Sequence, residues 1–406
     1  MLALLDDAAI AAPARYEVIR MSSLVMVWGW RSLDPLHSPH AASTRARDRR
    51  SSWLRRDDGL SLPERARRAL WHVVTAVPTP TDAERTLLLT GATGFVGSAV
   101  RPALERAGWR VRVLTRDAAR AAARSPELDW VQGDVADRDA MARALEGVDA
   151  TLYLVHGIRE GAGYHEREVA AAADFAAVAA ESGVERVVYL GGVAPVGPGS
   201  EHLRSRLEVG ETLRAGAVPA IELRASMIVG HGSLSWLIVR DLAARLPVMI
   251  LPRWLRSRTE PVAVDDVVVA VVRTFDLPSE VSGWFDIPGP EILSGKEILD
   301  RTAVLMGLGA PHSIDVPFLS PRLSSLWIRL VTRADWSVAR EIVIGLTEDL
   351  LARDDDFWER IDHPQRVSFD RAARRALAAD RGSHPARGFW ALVERARGVT
   401  PGDDDV

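Results

Sequence analysis

The sequence predicts a doubly wound α/β fold: a parallel sheet covered by helices on both faces, with a smaller, mostly helical region after it. Three observations predict it. From Thr86 onward, short apolar runs alternate regularly with amphipathic segments of helical spacing. Those runs are continuously apolar, the pattern of strands buried on both faces. The first of them leads into a glycine-rich turn, Thr90-Gly91-Ala92-Thr93-Gly94-Phe95-Val96-Gly97, which opens a helix.

Residues 87–90 form the first strand and 96–107 the first helix, with Val96, Val100 and Leu104 on one face. Strands follow at 111–114 and 128–132, then a short helix through Met141 and Leu145. A fourth strand over 150–155 precedes a long alanine-rich helix over 164–182. The fifth strand is 187–190, the next helix 201–214 and the sixth strand 220–223. Right-handed crossovers between such units leave a ligand crevice at the carboxyl ends of the strands. Beyond Gly230 the pattern loosens: residues 261–275 and 284–287 are expected as late additions to the sheet edge, and the remainder to Leu377 as mostly helical. The expected organisation is an extension over 1–83, a nucleotide-binding domain over 84–290, a helical region over 291–381 and a tail over 382–406.

The 406 residues are 47% hydrophobic and 26% charged, ample for a large core. A net charge of −4 offers no global reason to expect nucleic acid as a partner. Cysteine is absent, which excludes disulfides, thiolate metal sites and cysteine nucleophiles and fits a cytoplasmic location. No His/Asp/Glu cluster has metal-ligand spacing, so no metal is expected. The apolar stretch 21–30 falls short of the roughly 20 residues that a membrane-spanning helix needs. Residues 44–56 hold six arginines and one aspartate. Two readings stand: a poorly ordered extension, with Met21 or Met26 as alternative starts, or a basic arm for an anionic partner.

The glycine loop carries the chemistry. Gly91 permits the sharp turn, Gly94 brings backbone close to a pyrophosphate, and Gly97 lets helix pack on strand. Thr93, Phe95 and Val96 complete the phosphate cradle at the helix N-terminus. The setting is that of a Rossmann dinucleotide site. Arg116 ends the second strand, where an acidic residue would bind a ribose 2′-hydroxyl and an arginine favours a 2′-phosphate. NADP(H) is therefore favoured over NAD(H). The alternative for this turn is a solvated Arg116 beside Asp117 as a helix cap.

The Gly-x-x-Gly-x-x-Gly spacing after Thr90, with Gly133-Asp134-Val135 and Val155-His156-Gly157 at strand ends, resembles the short-chain dehydrogenase/reductase superfamily. The resemblance implies that Asp134 and Val135 contact adenine and that Val155, His156 and Gly157 border the nicotinamide ribose. It also implies a serine after the fifth strand and a Tyr-x-x-x-Lys on the next helix. This chain departs from both, with Gly191-Gly192 at the strand end and His202-Leu-Arg-Ser-Arg206 on the helix. Lys296, the sole lysine, lies far along the chain. An arginine stays protonated and is no base, although its fork still binds ribose hydroxyls or phosphate. A histidine is able to act as general acid from an unperturbed pKa of about 6.5. His202 and Arg206 are thus the catalytic candidates, with Gly191 and Arg206 also against the cofactor. Arg224 and His231 are expected to reach the same crevice.

Several stretches together are similar to the NmrA-like and YbjT-like branch of atypical members: Tyr153-Leu-Val-His156, Tyr189-Leu-Gly-Gly192, Glu222-Leu-Arg-Ala-Ser226 and Ser320-Pro-Arg-Leu-Ser-Ser-Leu-Trp327. Members of that branch are described as NAD(P)H-binding proteins or as epimerase/dehydratases, and some relatives continue into a further C-terminal domain that is expected to be absent or truncated after Trp390 here. Two functions follow. One is NADP(H)-dependent hydride transfer to a small, fairly apolar organic substrate, an enone or quinone, beneath a lid over 230–258. The other is a non-catalytic NADP(H)-binding regulatory or assembly protein.

Overall fold

A computed structural model describes residues 85–156, 163–197, 199–246, 248–309, 312–316, 348–380 and 389–399. The chain divides into two units, Met1–Pro78 and Thr79–Val406, and all the described residues lie in the second. The arginine-rich stretch, the apolar residues 21–30 and residues 317–347 of the region expected to be mostly helical fall outside them.

Six strands and five helices alternate: β1 (Thr86–Thr90), α1 (Phe95–Arg106), β2 (Arg110–Thr115), α2 (Ala118–Ala122), β3 (Asp129–Gln132), α3 (Arg138–Leu145), β4 (Ala150–Tyr153), α4 (Tyr164–Glu181), β5 (Arg186–Gly192), α5 (Glu201–Ala215) and β6 (Ala220–Ala225). Each call from the sequence falls on its element within a few residues. β7 (Ile228–Val229), α6 (Leu234–Arg245), β8 (Val248–Pro252), a 3-10 turn (Arg253–Arg256), β9 (Arg258–Thr259), β10 (Val262–Ala263), α7 (Val264–Thr274) and β11 (Gly283–Asp286) follow. The C-terminal part holds β12 (Leu293–Ser294), α8 (Gly295–Leu305), β13 (His312–Val316), α9 (Asp356–Arg360), α10 (Phe369–Asp380) and α11 (Phe389–Ala396).

The main sheet has seven parallel strands in the order β11-β6-β5-β4-β1-β2-β3. After β1 the chain winds outward through β2 and β3, then returns to place β4 on the other side of β1. That reversal sets a crevice at the carboxyl ends of β1 and β4. β1, β4 and β5 are buried along their whole length, which is why they read as unbroken apolar runs. One face of the sheet packs Val100 and Leu104 of α1 with Val267, Ala270 and Val271 of α7. The other packs Met141, Phe175, Val209 and Leu213 from α3, α4 and α5. Each of the valine, leucine, methionine and phenylalanine side chains among them contributes about 1.5–3 kcal/mol on burial.

Two expectations need amendment. Residues 284–287 do extend the sheet, as β11 beside β6, but 261–275 do not. That stretch pairs only Val262–Ala263 with β7 and then coils into α7. The C-terminal region is helical in the main but also carries short strands, β13 running parallel to β8 and β12 antiparallel to β9. Among the described residues no helix is long and apolar enough to cross a membrane, and no cluster of three metal-ligating side chains occurs.

Candidate nucleotide and substrate site

The hydroxyl of Thr90, at the end of β1, accepts from Leu154 N–H at 3.0 Å and donates to Leu152 carbonyl at 3.4 Å, fastening β1 to the end of β4. The chain then turns at Gly91 with φ +70°, and a Cβ there would sit 3.0 Å from the Leu154 carbonyl. Gly94 N–H donates to Gly91 carbonyl at 2.9 Å and closes the turn. At Gly97 a Cβ would lie 2.7 Å from Ala92 Cα and closer still to the Gly91 carbonyl oxygen, so α1 begins against the loop only because that position is bare.

α1 starts from Gly94 with no side-chain cap and no acidic residue in its first turn. Its leading N–H groups and the positive end of its dipole therefore face a site that no side chain neutralises, which suits a pyrophosphate. Thr93 and Gly94 are exposed, Phe95 and Val96 half-buried. The loop is open to a ligand on its outer side. Phe95 packs on Gly230, where a Cβ would meet its ring at 2.9 Å.

The other predicted cofactor residues line the same edge of the sheet. Arg116 is exposed at the end of β2, and Asp117 beside it caps α2 by accepting from Arg120 N–H at 3.0 Å. Asp134 is half-buried after β3, its carboxylate accepting from Ala136 N–H at 3.0 Å, while Val135 is buried in the core. Val155 is half-buried and His156 exposed after β4; Gly157 lies outside the described residues.

At the end of β5 the structure explains the missing serine. A Cβ on Gly191 would fall 2.6 Å from Glu222 Oε1, and a Cβ on Gly210 of α5 would lie within 3.0 Å of the same carboxylate. Glu222 is wedged between strand and helix, 1% exposed, and bound by Arg224 Nε and Nη2 at 2.9 and 3.1 Å and by Arg214. Removing two side chains makes room for one buried charge and its partners. Arg224 is consequently not a crevice residue: it is buried in β6, paired with Glu222 and stacked 4.5 Å above Trp284. His231 is likewise held by Asp380 at the end of α10. Glu222 was missed by sequence reasoning; the legible signal was an acidic residue inside an apolar strand, with an arginine two positions later on the same face.

His202 stands in the first turn of α5, which Ser200 caps by accepting from Leu203 N–H at 3.2 Å. The imidazole meets the His156 ring edge-on at 6.2 Å between centroids. Part of the residue reaches the surface, yet Nδ1 is buried with no hydrogen-bond partner. Burial pushes the imidazole pKa down to about 3, and Arg206 and His156 push the same way. His202 is therefore neutral near pH 7, unlike the acid of ordinary pKa expected from the sequence. Arg206, one turn along α5, donates from Nη2 to Leu190 carbonyl, and its own carbonyl accepts from Tyr189 hydroxyl at 3.2 Å. It clasps the end of β5. Burial holds the Tyr189 phenol protonated, its pKa pushed up to about 12.

After β6 the chain forms one wall of an apolar cleft that is partly open to solvent. Met227, Ile238, Leu242, Leu255, Ile298 and Leu350 wall it. Glu348, also on its wall, accepts from Gly197 N–H at 2.8 Å, so the cleft adjoins the loop that leads from β5 into His202.

The fold and this edge are those of a dinucleotide-binding α/β protein. Residues 87–218 match the NAD dependent epimerase/dehydratase family. Over 231 residues the chain is 30% identical to (4-alkanoyl-5-oxo-2,5-dihydrofuran-3-yl)methyl phosphate reductase of Streptomyces griseus, spanning 54% of this chain and 74% of that one. Over 199 residues it is 32% identical to the ceramide reductase of Caulobacter vibrioides, spanning 47% of this chain and 61% of the relative. The chain belongs to the NAD dependent epimerase/dehydratase family, within the short-chain dehydrogenase/reductase superfamily. The fold is also that of the Citrobacter sp. triphenylmethane reductase complexed with NADP(H), with TM-score 0.56 and 14% identity over 72% of this chain and 99% of that one. The UDP-glucose 4-epimerase of Thermotoga maritima compares similarly, with TM-score 0.57 and 14% identity over 73% of this chain and 99% of that one.

Proposed function

We propose that this chain is an NADP(H)-dependent reductase that transfers hydride to a small, largely apolar organic acceptor, an enone or a quinone. The observation that carries this reading is the uncapped, acid-free N-terminus of α1 beneath an open glycine loop at the reversal of strand order. The cradle fits a dinucleotide: its glycines leave room that Cβ atoms would fill, and the helix that follows begins without a side-chain cap. Gly91, Thr93, Gly94, Phe95, Val96 and Gly97 hold the pyrophosphate, Asp134 and Val135 the adenine end, and Val155 to Gly157 with Gly191 the nicotinamide ribose. Arg116 receives the 2′-phosphate, whose charge-assisted hydrogen bonds are worth about 1.5–3 kcal/mol.

When bound, the nicotinamide supplies the hydride. His202, held neutral by burial, offers an N–H to the acceptor oxygen. A neutral imidazole stabilises developing oxyanion charge by hydrogen bonding, and the proton comes from water. A conjugated acceptor needs no stronger acid than that, which suits a site without the family's tyrosine. Arg206 keeps the β5 end in place beneath the ring. The finer affinity to the NmrA-like branch and the division at residues 84, 291 and 382 belong to the same proposal.

A second reading, a nucleotide-binding regulator, is favoured by the space at Gly191 that Glu222 occupies. Titration of NADPH and NADH by fluorescence, followed by NADPH oxidation with a panel of enones and quinones, separates the two. Turnover that falls at least tenfold in His202→Ala with NADPH affinity retained supports the reductase. Tight NADPH binding with every acceptor inert supports the regulator. Failure to bind either dinucleotide overturns both.

A further inference from the structure

Residues 348–353 are tied to the sheet by carboxylates at both ends. Glu348 accepts from Gly197 N–H, and Asp349 makes a fork to Arg258 at 3.0 and 2.7 Å. Leu350 N–H donates to the Arg258 carbonyl at 2.8 Å, an ordinary peptide bond partner. The next two ties are different. Ala352 N–H donates to Glu260 Oε2 at 2.5 Å, just after β9, and Arg353 N–H donates to Asp286 Oδ2 at 2.7 Å, at the end of β11. Farther along, Asp266 and Glu291 receive Val367 N–H and Phe369 N–H in the same way, each at 2.8 Å, but both also have a basic partner. Glu291 has Arg301 at 2.7 Å and Asp266 has His363 at 2.9 Å. Among the described residues Glu260 and Asp286 have no such pair. Asp286 is 2% exposed, and its Oδ1 is buried without a hydrogen-bond partner.

We propose that residues 348–353 form a strap governed by protonation, closed while Glu260 and Asp286 carry protons and released as both ionise. The surrounding charges favour this direction. Glu260 faces Asp286, Asp355 and Arg366, and Asp286 faces Asp354, Arg224 and Arg353. The arginines are engaged already: Arg224 binds Glu222, Arg366 binds Asp355, and Arg353 lies 5.0 Å above Trp284. Closing the strap takes water from two carboxyls and sets two aspartates beside them, so the closed state resists negative charge. Burial outweighs the backbone hydrogen bonds and holds both carboxyls above their usual range. Release returns them toward the ordinary values of about 4. The closed strap therefore binds protons more tightly, and its stability is complete at low pH and lost as pH rises through the raised values. A protonated carboxyl still accepts an N–H through its carbonyl oxygen, so protonation keeps both ties. Arg258 holds the Asp349 carboxyl below its usual range, which leaves that fork ionised above pH 5. None of this depends on the reductase reading.

Hydrogen exchange of the full chain, read by mass spectrometry from pH 5 to pH 8 and corrected for the intrinsic rate at each pH, measures opening of the strap directly. Protection of the Ala352 and Arg353 amides is expected to fall about tenfold across that range, while β1 and β4 keep theirs. Glu260→Gln and Asp286→Asn together imitate the protonated pair, because a side-chain amide oxygen accepts the same N–H. The double variant is expected to stay protected at pH 8 and to lose the dependence on pH. Wild-type protection that is equal at pH 5 and pH 8, or that rises with pH, overturns the proposal. So does a pH dependence undiminished in the double variant. Should that variant fail to fold, the wild-type series decides alone, since a strap held by ionised carboxylates would tighten rather than loosen as pH rises.

Discussion

Gly97 and Glu222 show how much a single position decides. Alanine at Gly97 would force its methyl into the Gly91 carbonyl and Ala92 Cα, displacing either the loop or α1. Gly97→Ala is expected to weaken NADPH binding at least tenfold, measurable by fluorescence titration. Glu222 is a buried charge held by two arginines, and Glu222→Ala leaves those arginines facing each other without it. Loss of one partner from such a group costs about 3–5 kcal/mol, and urea denaturation should show a loss of that order. His202 carries a pH signature. Its folded pKa of about 3 lies below the unfolded value, so the unfolded chain binds the extra proton between the two. The stability it contributes is complete above pH ~6.5 and is lost as pH falls toward 3. His202→Leu should flatten that slope in thermal melts from pH 4 to 7. Turnover at neutral pH should show no inflection from this imidazole.

At the scale of elements, α6 is the piece that shapes the substrate side, and buried ions hold it. Asp380, at the end of α10, accepts from Trp236 Nε1 at 3.0 Å and pairs with Arg240 at 2.7 Å and with His231. Arg245, 1% exposed at its side chain, joins Asp241 on its own helix to Glu394 of α11. Asp380→Ala strips one acceptor from three donors and is expected to destabilise the C-terminal region by about 3–5 kcal/mol. Hydrogen exchange localised to α6 and α10 is the measurement; unchanged protection there would refute the role of Asp380. The misread stretch 261–275 belongs to this scale. Its valines favour a strand by local propensity, yet Val267, Ala270, Val271 and Thr274 fall at helical spacing and are buried. Packing against α1 selected the helix, and two aspartates in the first turn suit its dipole.

At the scale of the whole molecule, the order β11-β6-β5-β4-β1-β2-β3 gathers residues as much as 75 positions apart, Arg116 to Gly191, onto one edge. Arg116, Asp134, His156 and Gly191 share nothing in sequence beyond lying at or just after the carboxyl end of a strand, and the parallel sheet makes that one property sufficient. The second unit, beginning at Thr79, contains all of these residues. A chain starting at Thr79 is expected to fold and to bind NADPH within twofold of the full chain, checked by circular dichroism and fluorescence titration.

The unbroken apolar strands, the glycine loop and the absence of cysteine were legible in the sequence, because each rests on local chemistry: a residue's burial on both faces, a missing Cβ, a missing thiol. The family followed from the same residues. The partners of the arginines and histidines were decided by tertiary structure alone. Arg224, Arg206 and His231 had the composition of a site, yet their partners, Glu222, the Leu190 carbonyl and Asp380, come from other elements. Charge finds its role in the nearest opposite charge and in the water it loses, and neither is written along the chain.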